Sequence, residues 1–351
     1  MNIILIILVF GVIVFFHEFG HFIVAKLNGI AVTEFSIGMG PAIFSFTKKE
    51  TKYSLRILPI GGYCMMLGED EESNDENAFN NKPVWARMLV IAAGPVFNFI
   101  LAFIFSIILI HFTGCDPSTL YYVLEDSAAA EAGIEAGDTI KEINGERIYN
   151  YRELLLYMQI NDASKPVELV MEDSEGNEYT TVVTPRLNEN GEYKLGVSGG
   201  YVKSEGIGMD IKYAGLELRY WVKATVSSLK MIVTGGVKSG DIMGPVGVGG
   251  AMNDIIEEVK DESESSKEAV RNILLNLLNW CILLSVNLGI MNLLPIPALD
   301  GGRLLFLIIE AVRRKKIPQD KEAVVNLIGF VLLIILMVVV FFNDIKNVFF
   351  K

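Results

Sequence analysis

Histidine is nearly absent from this sequence: His17, His21 and His111 are the only three in 351 residues. Cysteine is as scarce. Cys64, Cys115 and Cys281 lie far apart with no CxxC pair, which supports neither a disulfide framework nor a cysteine-built zinc site. A basic excess is missing too. The 30 Lys and Arg face 42 Asp and Glu, a net charge of −12, whereas nucleic acid selects basic surfaces. Charged residues make up 21% of the chain against 51% hydrophobic, and the mean hydropathy is +0.40. That balance is too apolar for an ordinary soluble domain and points to the lipid bilayer as a partner.

Four stretches reach the roughly 20 apolar residues that cross a bilayer, at 3–27, 88–112, 273–294 and 324–342. The first reads as a span, not a cleaved signal peptide. It has no basic n-region, its apolar run is long, and no small-residue cleavage site follows. Lys48, Lys49, Lys52, Arg56, Lys82 and Arg87 fill the loop after span one, and Arg303, Arg313, Arg314, Lys315, Lys316 and Lys321 the loop after span three. The positive-inside rule makes both loops cytoplasmic and both termini external.

Between spans two and three lie about 160 residues, enough for one external domain. Within it, "VELVMEDSEGNEYTTVVTPRL" reads as two alternating strands around a turn, and "SAAAEAGIEAGDTIKEINGERI" as a short helix, a Gly turn, a strand and an Asn-Gly hairpin. Residues 213–236 read as an amphipathic helix that can lie on a membrane surface. The charged run "EEVKDESESSKEA" reads as a solvated linker. The expected fold is thus a multi-pass α-helical membrane protein with an inserted β-rich domain. Its parts are residues 1–113 and 271–351 as two halves of a membrane core, 114–200 as the inserted domain, and 201–270 as helix and linker.

Two of the three histidines sit inside span one, in "FHEFGHF" at 16–22. Spacing i, i+4 sets His17 and His21 on one helix face, able to grip one metal ion, with Glu18 beside them as a base. A pair of histidines satisfied by hydrogen bonds in a bundle core is the plainer reading, but ionisable groups at membrane depth are usually functional. A hydrolytic zinc site keeps three protein ligands and one open position. His111 stands at the outer end of span two, on the order of 25–30 Å away across the bilayer, so the third ligand is expected to be a carboxylate or a thiolate. In "NLLPIPALDGG" at 292–302 two prolines break the helix, and irregular backbone at membrane depth marks a site or a buried segment. Asp300 is the leading candidate, and capping the next helix is a compatible role. Cys64 and Cys281 are weaker ones.

These residues resemble the site-2 protease family of intramembrane zinc metalloproteases, in its bacterial branch of regulated intramembrane proteolysis. The likeness runs over nearly the whole chain: HEFGH at 17–21, "FSIGMGP" at 35–41, "LPIGGYCMMLGE" at 58–69, "AAGPVFNFILA" at 92–102, "GPVG" at 244–247 and "NLLPIPALDGG" at 292–302. The resemblance implies one Zn2+ held by His17, His21 and Asp300, Glu18 as general base, and Asn292 helping to position the substrate backbone. It also implies a hairpin dipping into the membrane, with Gly61, Gly62 and Tyr63 presenting an edge to an extended substrate. Short strand runs broken by Pro and Gly at 52–67 are compatible with such an edge and with a plain cytoplasmic hairpin. The inserted domain is similar to a bacterial PDZ domain and would bind a peptide or act as a size filter. The implied substrates are single-span membrane proteins, such as anti-sigma factors or remnant signal peptides. The implied location is a bacterial inner membrane with the site towards the cytoplasm. A zinc carrier without catalysis and a PDZ-bearing scaffold are the competing classes.

Overall fold

The structure, a computed structural model, describes residues 2–69, 71, 73–236 and 243–349. It divides into two compact units, residues 1–105 with 235–351 and residues 106–234. Among the described residues, four helices are long and apolar enough to cross a membrane, starting with α1 (Asn2–Leu27) and α2 (Val84–Thr113). Gly20 lets the two approach closely, since a Cβ there would lie 2.5 Å from Ala93 O.

Between them, β1 (Val32–Lys48) and β2 (Thr51–Met66) form more than a simple hairpin. Residues 34–37 have partners on both sides. Glu34 pairs with Met65 and with Lys52, and Ile37 with Gly62 and with Leu55; Phe44–Lys48 then pair with Leu55–Thr51. The two long strands therefore fold into four segments, with 62–66 along one outer edge. The proximal half of β1 is buried and the distal half exposed, because only the former packs against α1 and α2 through Phe35 and Val32.

The inserted unit follows the local sequence signals closely. Its short strand β3 (Tyr122–Val123) precedes α3 (Ala128–Glu131), which Ser127 caps by accepting from Ala130 N. Next come β4 (Thr139–Ile143) and β5 (Glu146–Arg147), joined at Asn144 and Gly145, both at positive φ as a tight Asn-Gly hairpin requires. Asn150 caps α4 (Tyr151–Ile160). Then β6 (Val167–Glu172) and β7 (Glu178–Val183) complete a sheet of order β5-β4-β6-β7. The small strands β8 (Arg186–Leu187), β9 (Tyr193–Lys194) and β10 (Val197–Ser198) finish the module, with β10 paired to β3. Its core is a single apolar cluster that includes Leu120, Ile140, Ile143, Leu154, Leu169 and Met171.

Helix α5 (Ile207–Thr234) forms where amphipathic periodicity predicts it. Its polar face is the buried one: Asp210 and Glu217 are buried, Arg152 pairs with Glu217, Arg219 with Glu153, and Lys223 with Glu146 at 2.5 Å. Trp221 turns to this side as well, donating from Nε1 to Glu217 Oε1 at 2.8 Å.

The chain returns to the first unit as α6 (Pro245–Glu262) and α7 (Ser266–Leu293). These two helices correct the expectation of a linker at 257–269, although most of its charged residues are exposed. Met252 and Ile256 of α6 are buried against Val9, Ile13 and Leu277, which draws the charged stretch into helix, and only 263–265 is a break, capped by Ser265. Residues 237–242 of the expected connecting region lie outside the described residues. The "GPVG" motif has a structural reason. Asp344 of the last span accepts from Gly244 N and Gly247 N, both at 2.8 Å, at the start of α6. Helix α8 (Asp300–Arg313) and the last span α9 (Gln319–Phe349) complete the unit.

Candidate metal centre

Among the described residues, one group of His, Cys, Asp and Glu side chains converges as metal ligands do: His17, His21 and Asp300. The histidines face the same side of α1, one turn apart. Asp300 arrives at the start of α8, after a loop in which Ala298 takes a left-handed conformation (φ 72°). Gly301 and Gly302 are needed there because a Cβ on either would overlap the backbone of 293–297. His17 Nε2 lies 3.1 Å and His21 Nε2 3.4 Å from Asp300 Oδ2, and the two Nε2 atoms are 3.3 Å apart. A tetrahedral zinc with bonds of about 2.0–2.1 Å sets its ligand atoms about 3.3 Å apart, so the three atoms fit the group.

Their protonation fits as well. Val90 O, 2.9 Å from His21 Nδ1, can only accept, so that nitrogen carries the proton and Nε2 keeps a lone pair for metal. Asn98, wholly buried on α2, sets its side-chain amide 3.1 Å from His17 Nδ1, while its Oδ1 has no partner among the described residues. Turning that amide over, a change of atom labels and not of shape, puts Oδ1 on the Nδ1 proton and leaves His17 Nε2 free to ligate. Ser285 Oγ donates to the Asn98 carbonyl at 3.1 Å and ties this turn of α2 to α7. Gly94 completes the cradle. A Cβ there would overlap His21 Nε2 and stand 2.8 Å from His17 Cε1.

Glu18 is half-buried beside the cluster, near enough to interact electrostatically with His17, His21 and Asp300 and to meet the backbone N–H of Cys64. The outer β-segment 62–66 therefore runs past it: a Cβ on Gly62 would lie 3.2 Å from Glu18 Cγ. Gly61 has φ +84° and packs on Met39. Tyr63 has its hydroxyl bonded to Arg56, whose guanidinium also binds Glu34 at 2.8 Å. Burial opposes ionisation of Glu34, but hydrogen bonds from Ser54 and Arg56 outweigh it and hold the carboxyl below its ordinary range. Asn292 is half-buried in the last turn of α7, before the broken loop.

The other candidates fall elsewhere. Burial pushes the Cys64 thiol up, away from the thiolate that a metal needs. Cys281 is packed in the apolar cluster of α1, α6 and α7. His111 binds Asp210 at 3.0 Å. Asn98 and Gly94 went unassigned in the sequence although both stand in "AAGPVFNFILA". Asparagine within an apolar span was the available signal, since a polar group there needs a partner.

An HExxH helix meeting an aspartate from a broken helix, among membrane-length helices, defines a membrane-embedded metallopeptidase. The profile of peptidase family M50 matches residues 5–336, and the chain belongs to that family, a metalloendopeptidase of the site-2 protease type. It is 34% identical over 428 aligned positions to the zinc metalloprotease RasP of Bacillus licheniformis, covering 98% of both chains. It is 32% identical over 427 to the regulator of sigma-W protease RasP of Bacillus subtilis, again covering 98% of both. A chain from Clostridium perfringens is 40% identical over 348 positions. Among solved structures, the PDZ domain of an SdrC-like protein from Listeria monocytogenes aligns with 24% of this chain and 87% of its own, at 20% identity and a TM-score of 0.22.

Proposed function

We propose that this protein hydrolyses peptide bonds within the transmembrane segments of single-span membrane proteins, at one zinc ion per chain held by His17, His21 and Asp300. The observation that carries the reading is the convergence of three ligand atoms at zinc-edge spacing with Glu18 and a strand edge beside them. Bound zinc supplies Lewis acidity and lowers the pKa of water at the open position. Glu18, beside the histidines, would accept a proton from the attacking water and deliver one to the leaving amine. Val90 O and Asn98 hold the two imidazoles with Nε2 towards the centre. The substrate's carbonyls are tied up in its own helix, so it must unwind locally. Segment 62–66 offers backbone groups to an extended chain, Gly61 and Gly62 keep that edge narrow, Tyr63 is held by Arg56, and Asn292 steadies the substrate backbone.

The basic loops support a cytoplasmic site and an extracytoplasmic inserted domain, in a bacterial cell membrane. The inserted module would bind a peptide of the incoming substrate or filter it by size. The name of the Bacillus subtilis relative supports a substrate of the anti-sigma class, and remnant signal peptides share the same single-span chemistry.

The test is Glu18→Gln in liposomes with a single-span substrate, with zinc measured by mass spectrometry. Cleavage should fall by about 10²–10⁴-fold with zinc retained. Surviving cleavage would sink the mechanism, and a wild type that holds zinc without cleaving would be a binding protein instead.

A further inference from the structure

Helix α8 carries Asp300, yet few of its side chains anchor it. Its buried residues are Gly301, Gly302 and Leu307. The two glycines pack on the loop that precedes them, so they do not set the helix against α1, where the histidines are. What does so is a stripe of four residues at spacings of 3, 4 and 3: Asp300, Arg303, Leu307 and Glu310, one face of a helix. Each meets the first half of the chain. Asp300 meets the histidines of α1. Leu307 enters the core with Ala25, Ile30, Val90 and Ile91. Glu310 takes the fork of Arg87 on α2, at 2.5 and 3.2 Å, with the Arg87 side chain 8% exposed. Arg303 pairs with Glu69, just beyond β2. Neither Glu69 nor Arg303 has a part in the proposed chemistry, although "LGE" and the residue after "LDGG" adjoin its motifs.

We infer that Arg87–Glu310 and Glu69–Arg303 are the positioning residues that set the height and rotation of α8, and so hold Asp300 Oδ2 at the metal. The inference rests on Asp300 being a zinc ligand. A slip of one helical turn would displace it by about 5.4 Å, while groups that orient a metal ligand commonly account for 10–100-fold in affinity. Glu69 has a second role. It also accepts from Met66 N at 3.3 Å, the last residue of the outer β-segment, so the edge offered to substrate and the helix bearing the ligand share one side chain. A cavity of about 190 Å³ lies behind these pairs, lined by the same four residues with Asn80 and Lys316 among others. Its two arginines are matched by carboxylates and Lys316 donates to Asn80 O at 2.6 Å, which makes it part of this clamp and not an anion site.

The experiment uses the full chain in lipid, loaded with cobalt(II) for the visible spectrum and with zinc for chelator competition and kinetics. Glu310→Gln and Arg303→Gln should each give up metal at about tenfold lower chelator strength, alter the cobalt spectrum, and lower kcat with KM unchanged. Glu69→Gln should also raise KM. Because a lone buried charge is itself disruptive, the exchanges Arg87→Glu with Glu310→Arg, and Glu69→Arg with Arg303→Glu, are made too; recovery of spectrum and retention supports the clamp. Single variants that melt earlier but keep the wild-type spectrum and chelator resistance overturn it, as do exchanges that fold without recovering either. Asp300→Ala separates the two readings. If it leaves metal and spectrum unchanged, the zinc-ligand reading has failed; if it abolishes both while the clamp variants do nothing, only the clamp has.

Discussion

The two units of this protein expose opposite things. The inserted unit hides Ile140, Ile143, Leu154, Leu169 and Met171 in one apolar core and leaves most of its charge at the surface. The membrane unit exposes Leu327, Leu332 and Phe342 on its last span and buries His17, His21, Asn98, Ser285 and Asp344. Water drives apolar groups inward, whereas lipid tails are as apolar as leucine and leave interior places to groups that need partners. A buried polar residue in the membrane unit is therefore informative in a way that a buried leucine in the inserted unit is not.

That contrast can be broken or sharpened by four substitutions beyond Glu18→Gln. Gly94→Val should have the largest effect, because its side chain would occupy the space of both imidazoles. Zinc content measured after purification should be lost together with cleavage; a variant that keeps stoichiometric zinc refutes the cradle. Leu169→Ala in the inserted core should lower local stability by about 2–5 kcal/mol, read by hydrogen exchange in β4 and β6, with zinc retained. If zinc leaves as well, the units are not separately stabilised. Asn98→Ala should weaken zinc by about 10–100-fold in a chelator titration, and unchanged affinity would deny it the tautomer role. Leu332→Ala, on a lipid-facing side chain, should move thermal unfolding in a bilayer by no more than about 0.5 kcal/mol. A large shift would mean that this face is covered.

Local signals made much of the fold legible. Long apolar runs located all four spans, and the Asn-Gly pair located the β4–β5 hairpin of the inserted unit, whereas α4 (Tyr151–Ile160) went unread. Two prolines in "NLLPIPALDGG" pointed to Asp300 because a broken helix at membrane depth has few explanations. The rest depends on contacts between distant segments. In "EEVKDESESSKEA" the charges outweighed the buried Met252 and Ile256 just before it. The double pairing of 34–37 follows from a fold-back that alternation along one strand cannot express. Asn98 shows in the sequence only as a polar residue within an apolar span, and Gly94 and the pairs Arg87–Glu310 and Glu69–Arg303 have no short-range signature.

By itself, the order of residues determined which segments enter the bilayer, that His17 and His21 share a helix face with Glu18 beside them, and that one broken helix could bring a carboxylate. These follow from hydropathy and helical period, properties carried within a few turns of chain. Only the tertiary structure decided that the third atom stands 3.1 and 3.4 Å from the two imidazole nitrogens. It also decided which groups aim those nitrogens, and that a strand edge passes Glu18. Ligand geometry is set to fractions of an ångström by packing between helices, and packing is a property of pairs of surfaces that no single segment contains.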